Sequence, residues 1–197
     1  MSQDNPKGLT APPVARLQQC FTRLRALLAL PAAAALLYLV DRGPVWPGVA
    51  VAALGEYWQL WAAAHLHKNV DVVKSGPYAL LRNPMYLGRF FVGLGFVLLT
   101  WRWYFIAAYV LSFALYAQAR VLGEEARLRG LFGEEYAAYC RAVNRWFAWP
   151  RIRLSDARWS WAAVRRNHQL RVSAAVALML VLLWARVHFP AAFGLGR

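Results

Sequence analysis

The sequence predicts an all-α integral membrane protein with about five transmembrane helices. Three observations point there. Of 197 residues, 60% are hydrophobic and only 16% charged, below what a soluble domain carries. Long uncharged runs approach the roughly 20 residues that a bilayer demands of a helix. The cations, 23 Lys and Arg against 9 Asp and Glu, are also spread unevenly along the chain. A net charge of +14 would ordinarily point to nucleic acid, but such a binder has little need of apolar runs. The 10 Trp, 9 Tyr and 10 Phe exclude a disordered chain. Cys20 and Cys140 give neither a disulfide framework nor a metal cluster, so the fold requires no oxidising compartment.

The elements follow in order. Residues 1–20 are a proline-bearing cytoplasmic tail with little periodicity. The first span runs from about Phe21 to Val40, with Pro31 as a kink site. Asp41-Arg42-Gly43-Pro44 is a turn, and the second span runs from Pro47 to about Leu66. The third runs from Pro84 to Thr100. Trp101-Arg102-Trp103 is a tight interfacial turn, because Trp favours that depth. It leads into the fourth span, Tyr104 to Val121, so the third and fourth form a helical hairpin. Leu128, Leu131 and Phe132, then Tyr136 and Tyr139, recur at helical spacing and predict cytoplasmic amphipathic helices broken near Gly133. Glu134-Glu135 fits the first turn of the helix that follows, where negative charge is favoured. Residues 151–197 add a basic linker and a fifth span, Leu170 to Phe189.

Counting cations on each side gives the orientation. With the N-terminus inside, residues 1–25, 65–89 and 120–171 face the cytoplasm and hold 19 of the 23 Lys and Arg. Arg42, Arg102, Arg186 and Arg197 are left outside. The run before the first apolar segment is long and no small-x-small site follows it, which argues against a cleaved signal peptide.

Two inner segments carry the chemistry. The first holds Val70, Asp71, Val72 and Val73, the turn Ser75-Gly76-Pro77, then Tyr78, and Arg82-Asn83-Pro84-Met85-Tyr86-Leu87-Gly88. Asn83 suits a helix N-cap and Pro84 the first helical position. That can be a well-capped helix start with an interfacial Tyr86 and a snorkelling Arg82. It can also be an anion site, since free N–H groups at a helix start stand beside Arg82. In the second segment, Glu124-Glu125 interrupts a basic stretch. Arg120 and Glu124, at i and i+4, share a helix face. They are either a surface ion pair or a cation and an anion gripping a zwitterion.

Gly76-Pro77-Tyr78, Arg82-Asn83-Pro84-Met85-Tyr86-Leu87-Gly88, Glu124-Glu125 with Leu128, and Phe132-Gly133-Glu134-Glu135-Tyr136 with Tyr139 follow one family's order and spacing. Over roughly residues 50–150 the chain resembles the integral membrane methyltransferases typified by isoprenylcysteine carboxyl methyltransferase, with the phospholipid methyltransferases as relatives. The resemblance makes residues 21–150 a membrane methyltransferase core and implies S-adenosylmethionine as methyl donor, bound at the cytoplasmic face. Carried over by position, Val70, Asp71, Val72 and Val73 line its adenosine through backbone. Tyr78, Arg82, Asn83, Pro84, Met85 and Tyr86 contact it or form its floor. Glu124 holds its amino group beside Glu125, and Arg120 faces the acceptor. Asn83 stands where many members have His, and Asn144 precedes Arg145-Trp146 where Pro is common.

The absence of a Gly-x-Gly-x-x-Gly fingerprint and of alternating β/α runs excludes a Rossmann-type methyltransferase. The expected activity is S-adenosylmethionine-dependent methyl transfer to a lipophilic acceptor: an isoprenylcysteine-like carboxylate, a phospholipid amine or another small nucleophile. The rival is a non-enzymatic small transporter or a subunit of a membrane complex. Glu56 and Gln59 in the second span are either functional or a polar contact between helices. His65, His67, His168 and His188 form no metal-ligand pattern, so no metal is expected. Gly93 and Gly95 allow close helix contact, and the basic run from Arg151 to Arg171 faces anionic lipid headgroups rather than nucleic acid. The sequence leaves oligomeric state open.

Overall fold

The computed structural model describes residues 31–40, 43–67, 70–146 and 159–193. The chain divides into Met1–Leu39 and Val40–Arg197. In the first part residues 31–39 are helical (α1). The first half of the expected first span and the N-terminal tail lie outside the described residues, as do Asp41, Arg42 and residues 147–158 of the basic linker. Among the described residues of the second part the regular elements are all helices: α2 (Trp46–His65), a one-turn 3-10 helix (Gly76–Ala79), α3 (Pro84–Leu98), α4 (Trp103–Ala142), α5 (Trp161–Arg166) and α6 (Gln169–His188). A last 3-10 turn, Pro190–Phe193, follows.

α2 and α3 pack antiparallel along a seam of small residues. A Cβ on Gly55 would lie 2.5 Å from the Val92 nitrogen, and one on Gly95 2.5 Å from the Ala52 nitrogen. Gly48 and Gly88 face Gly95 and Gln59 with as little room. Backbones this close gain dispersion contact that bulkier residues would block, which is how helices associate where no hydrophobic effect drives them together. Of the two glycines expected at helix contacts, Gly95 lies in this seam, whereas Gly93 faces the Tyr109 ring of α4.

The α3–α4 hairpin forms as expected. Trp101 turns the chain with φ 52°, and its ring folds over Gly43, whose missing Cβ leaves the space. The hairpin is zipped by aromatics: Phe90 stacks on Tyr109 at 5.9 Å and touches Phe113 at 5.4 Å, and Tyr86 meets Tyr116 at 6.5 Å. The Tyr109 hydroxyl donates to the Phe90 carbonyl at 2.9 Å, giving the phenol a partner where water is scarce.

Separate amphipathic helices beyond the fourth span are expected; the fourth span instead runs on past Val121 as one helix as far as Gly133, where the expected break divides α4 (Trp103–Ala142) into two helical stretches across a kink. Its apolar first half passes straight into its charged second half because nothing between Val121 and Phe132 breaks the hydrogen-bond ladder. The bend comes at Gly133, with φ 47° and ψ −123°, where the sequence places it. A Cβ there would touch nothing, so the glycine answers a backbone requirement rather than a spatial one.

α5 has no counterpart in the sequence expectation. Ser160 caps it, accepting from the Ala163 nitrogen at 3.2 Å, and His168, with φ 57°, turns the chain into α6. α6 lies antiparallel on α2 through polar grips. Asn167 donates to the Ala63 and Leu66 carbonyls at 3.1 and 3.0 Å, satisfying acceptors at the end of α2. Gln169 and Ser173 donate to Glu56 at 3.0 and 2.5 Å. Of the two readings of Glu56, this contact is the interhelical one.

Among the described residues, two helices, α4 and α6, are long and apolar enough to cross a membrane. Only 11% of each apolar stretch is buried, which is not how the core helix of a soluble protein sits. Leu111, Leu115, Leu178 and Val181 are each at least 60% exposed and need an apolar medium outside the protein. α3 is apolar too but spans 15 residues, short of a full hydrocarbon core.

Replacing Gly55 or Gly95 by Val should force α2 and α3 apart and cost about 2 kcal/mol or more. The melting temperature in detergent should fall for both, whereas Gly123→Ala, in open space, should leave it unchanged or slightly raised.

Candidate functional site

The site grows from the segment after α2. Val70 and Asp71 are exposed, Val73 is half-buried, and Val72 packs into a small core with Tyr136, Tyr139 and Val143. Gly76 turns the chain with φ 58°, and a Cβ there would press on the His65 ring at 2.7 Å. That turn buries Tyr78, whose backbone carbonyl accepts from the Tyr139 hydroxyl at 2.8 Å. Burial raises the ionisation of both phenols far above the ordinary range, so each stays a neutral hydroxyl.

Asn83 precedes α3 at the N-cap position but does not cap with its side chain. Its backbone carbonyl accepts from the Tyr86 and Leu87 nitrogens, while its side-chain nitrogen reaches the Arg145 carbonyl at 3.4 Å. The side chain is turned to a tertiary acceptor rather than to the local N–H donors. Pro84 is buried, and Met85 and Tyr86 are half-buried.

Two clusters result, one on each side of α4. In the first, the Arg120 guanidinium lies beside the Tyr86 hydroxyl, and the Arg89 guanidinium lies over the Tyr86 ring at 5.3 Å. Glu124 and Arg89 both act electrostatically on Tyr78. The structure therefore brings together Tyr78, Tyr86, Arg120 and Glu124, and adds Arg89 and Tyr116. Glu124 pairs with Arg127 at 2.6 Å, one helical turn on, instead of with Arg120. Arg120 has turned toward Tyr86.

The second cluster is buried. Glu125 is 2% exposed, and Arg145 grips it with both Nε and Nη2, at 2.9 and 2.7 Å. Arg82 Nη1 adds a contact at 3.2 Å and also donates to Cys140 Sγ at 3.0 Å. The Arg82 backbone nitrogen donates to the Asn144 carbonyl at 2.9 Å. Adjacent residues on a helix point about 100° apart. Glu124 thus looks toward Tyr78 and the surface, and Glu125 toward the arginines.

Arg145 and Arg89 were missed as site residues. Arg145 lies twenty residues from Glu125, beyond any helical register, so no spacing rule links them. Arg89 was within reach of one: it follows Tyr86 by three positions on the same helix.

Burial alone would raise the ionisation of Glu125, but the Arg145 hydrogen bonds and the charges of Arg82, Arg145 and Arg129 outweigh it, holding it below the ordinary 4.5. A depressed carboxylate contributes stability that is complete above its unfolded value and lost as pH falls through its folded one. The melting temperature should be insensitive to this group from neutral pH to about 5 and fall in more acidic solution. In Glu125→Gln the neutral-pH stability should be lower and that acid-side decline shallower, as read by thermal melts across pH.

Residues 45–135 match the profile of the family described as phospholipid methyltransferase. The chain is also similar to the cobalt-zinc-cadmium resistance protein CzcN of Cupriavidus metallidurans, with 31% identity over 131 residues, 66% of this chain and 58% of that protein. It thus spans less than two thirds of that relative's length. No solved structure matches it. The matched segment holds Tyr78, Tyr86, Arg120, Glu124 and Glu125 and ends before Tyr139 and Arg145. The match to the phospholipid methyltransferase profile covers α2, α3 and most of α4.

Proposed function

We propose that the chain is an integral membrane methyltransferase that uses S-adenosylmethionine to methylate a lipophilic acceptor. In this reading it crosses the membrane about five times with its N-terminus in the cytoplasm. The observation that carries the reading is the cluster of Tyr78, Tyr86, Arg120 and Glu124 on the segment the family profile spans.

The residues present fit the donor. The half-exposed Glu124 carboxylate suits an ammonium group, and the Tyr78 and Tyr86 rings offer flat apolar walls. When bound, S-adenosylmethionine supplies a methyl group on a positively charged sulfur. Everything else falls to the chain's own residues. Glu124 holds the amino end, and the exposed backbone at Val70 and Asp71 is open to an adenosine. Arg120 and Arg89 orient an anionic or polar acceptor head that arrives beside Tyr86. Methyl transfer to a nucleophile that is already anionic or a free amine needs little acid–base chemistry. Orientation and exclusion of water supply most of the acceleration. A site where α4 leaves its apolar half would admit a charged donor from the cytosol and a lipid-soluble acceptor from the bilayer.

A second reading, a non-enzymatic component of the membrane, draws on the relative named for cobalt, zinc and cadmium resistance and on Glu56 within α2. One experiment separates the two. Saturating S-adenosylhomocysteine should raise the melting temperature of the purified protein by about 5 to 10 °C. Glu124→Ala and Tyr86→Ala should each weaken that binding about tenfold while the protein stays folded. Well-folded protein that shows no shift in detergent or in lipid, yet responds to a divalent metal, would favour the second reading.

A further inference from the structure

The proposed donor site is assembled from two elements that share no covalent neighbourhood. Its floor, Asn83 to Tyr86, opens α3, and Glu124 stands on α4. Their separation must hold to within a fraction of an ångström for the site to work. The buried ion cluster sits one residue behind each of them: Arg82 directly precedes Asn83, and Glu125 directly follows Glu124. What fixes Arg82 to Glu125 therefore fixes the two halves of the site to each other.

Arg145 is the joint. Its side chain occupies both oxygens of Glu125, orienting the carboxylate that Arg82 Nη1 then meets at 3.2 Å. Its own backbone carbonyl accepts from Asn83, and the carbonyl before it accepts from the Arg82 nitrogen. One residue thus ties into α4 through its guanidinium and into the start of α3 through its main chain. It lies beyond the segment that matches the family profile.

We propose that Arg145 is a positioning residue for the donor site, aligning the Asn83–Tyr86 floor with Glu124 by clamping Glu125 to Arg82. This rests on the methyltransferase reading for what the site binds, but not for the clamp itself. Without Arg145, Glu125 retains Arg82 as its close partner, and Arg129, at 4.0 Å, is too distant and too exposed to replace it. The start of α3 then keeps its bonds to the Asn144 and Arg145 carbonyls and the Tyr139 bond, but those carbonyls are no longer tied to α4 through Glu125.

The test compares full-length wild type with Arg145→Gln, Arg145→Lys and, as a control, Arg141→Gln, whose partner Glu134 lies on the exposed surface at 3.8 Å. Two readouts are taken: S-adenosylhomocysteine affinity and amide hydrogen exchange by mass spectrometry. In Arg145→Gln, affinity should fall at least tenfold and exchange over residues 78–86 should quicken at least tenfold. Exchange over residues 48–56, in the glycine seam, should not change. Arg145→Lys, which keeps one charged bond, should recover part of both losses, and it carries the test if the Gln variant does not fold. Arg141→Gln should match wild type. Unchanged exchange over 78–86, or quickening spread equally across the seam, would overturn the proposal. Failure of the wild type itself to bind S-adenosylhomocysteine would instead remove the methyltransferase reading, and the exchange result would still decide the clamp.

Discussion

Much of the charged end of this protein depends on one carboxylate held away from water. Glu125 is buried on α4 with Arg145 bidentate upon it and Arg82 alongside. A buried charge with its partners in place contributes little net stability, because desolvation offsets most of the attraction. Removing one partner is another matter, with a cost of about 3 to 5 kcal/mol for a fully buried pair and less here, where Arg145 is 27% exposed. The value of such a cluster lies in geometry. Charge-assisted, two-pronged hydrogen bonds tolerate little misalignment, so they set where the start of α3 stands relative to α4.

The membrane region is built on different physics. α2 and α3 are joined by backbone proximity across Gly48, Gly55, Gly88 and Gly95, which gives dispersion contact that bulkier residues would block. α6 is joined by polar grips on Glu56 and on the carbonyls ending α2. Such bonds are worth forming where no water competes. α2 is accordingly the central helix, with α3 on one face and α6 on another. The residues that make it a poor solitary span are those that make it a good partner.

Much of the fold was legible. Helix boundaries expected at Pro47, Pro84 and Leu170 fall within a residue of those observed, because proline and the edges of apolar runs mark them locally. Gly133 was legible for the same reason. The continuity of α4 was not, since an amphipathic stretch on its own does not say whether it begins a new helix or extends the last. α5 was not legible either: six residues are too few for periodicity to register. At the site, motif spacing singled out Tyr78, Arg82, Asn83, Tyr86, Arg120, Glu124 and Glu125. Spacing could not say that Arg120 would turn to Tyr86 and Glu124 to Arg127, because both choices satisfy the same helical geometry.

The sequence by itself determined the all-helical class, the segregation of cations from apolar runs, and the match of residues 45–135 to a family profile. These are properties of composition, period and local order, and no distant contact can change them. Only the tertiary structure decided which of two neighbouring acids faces the site and which is buried as its support. The reason is that Glu124 and Glu125 are chemically identical in sequence. They diverge only when Arg145, far along the chain, returns to occupy one side of α4 and leaves the other open.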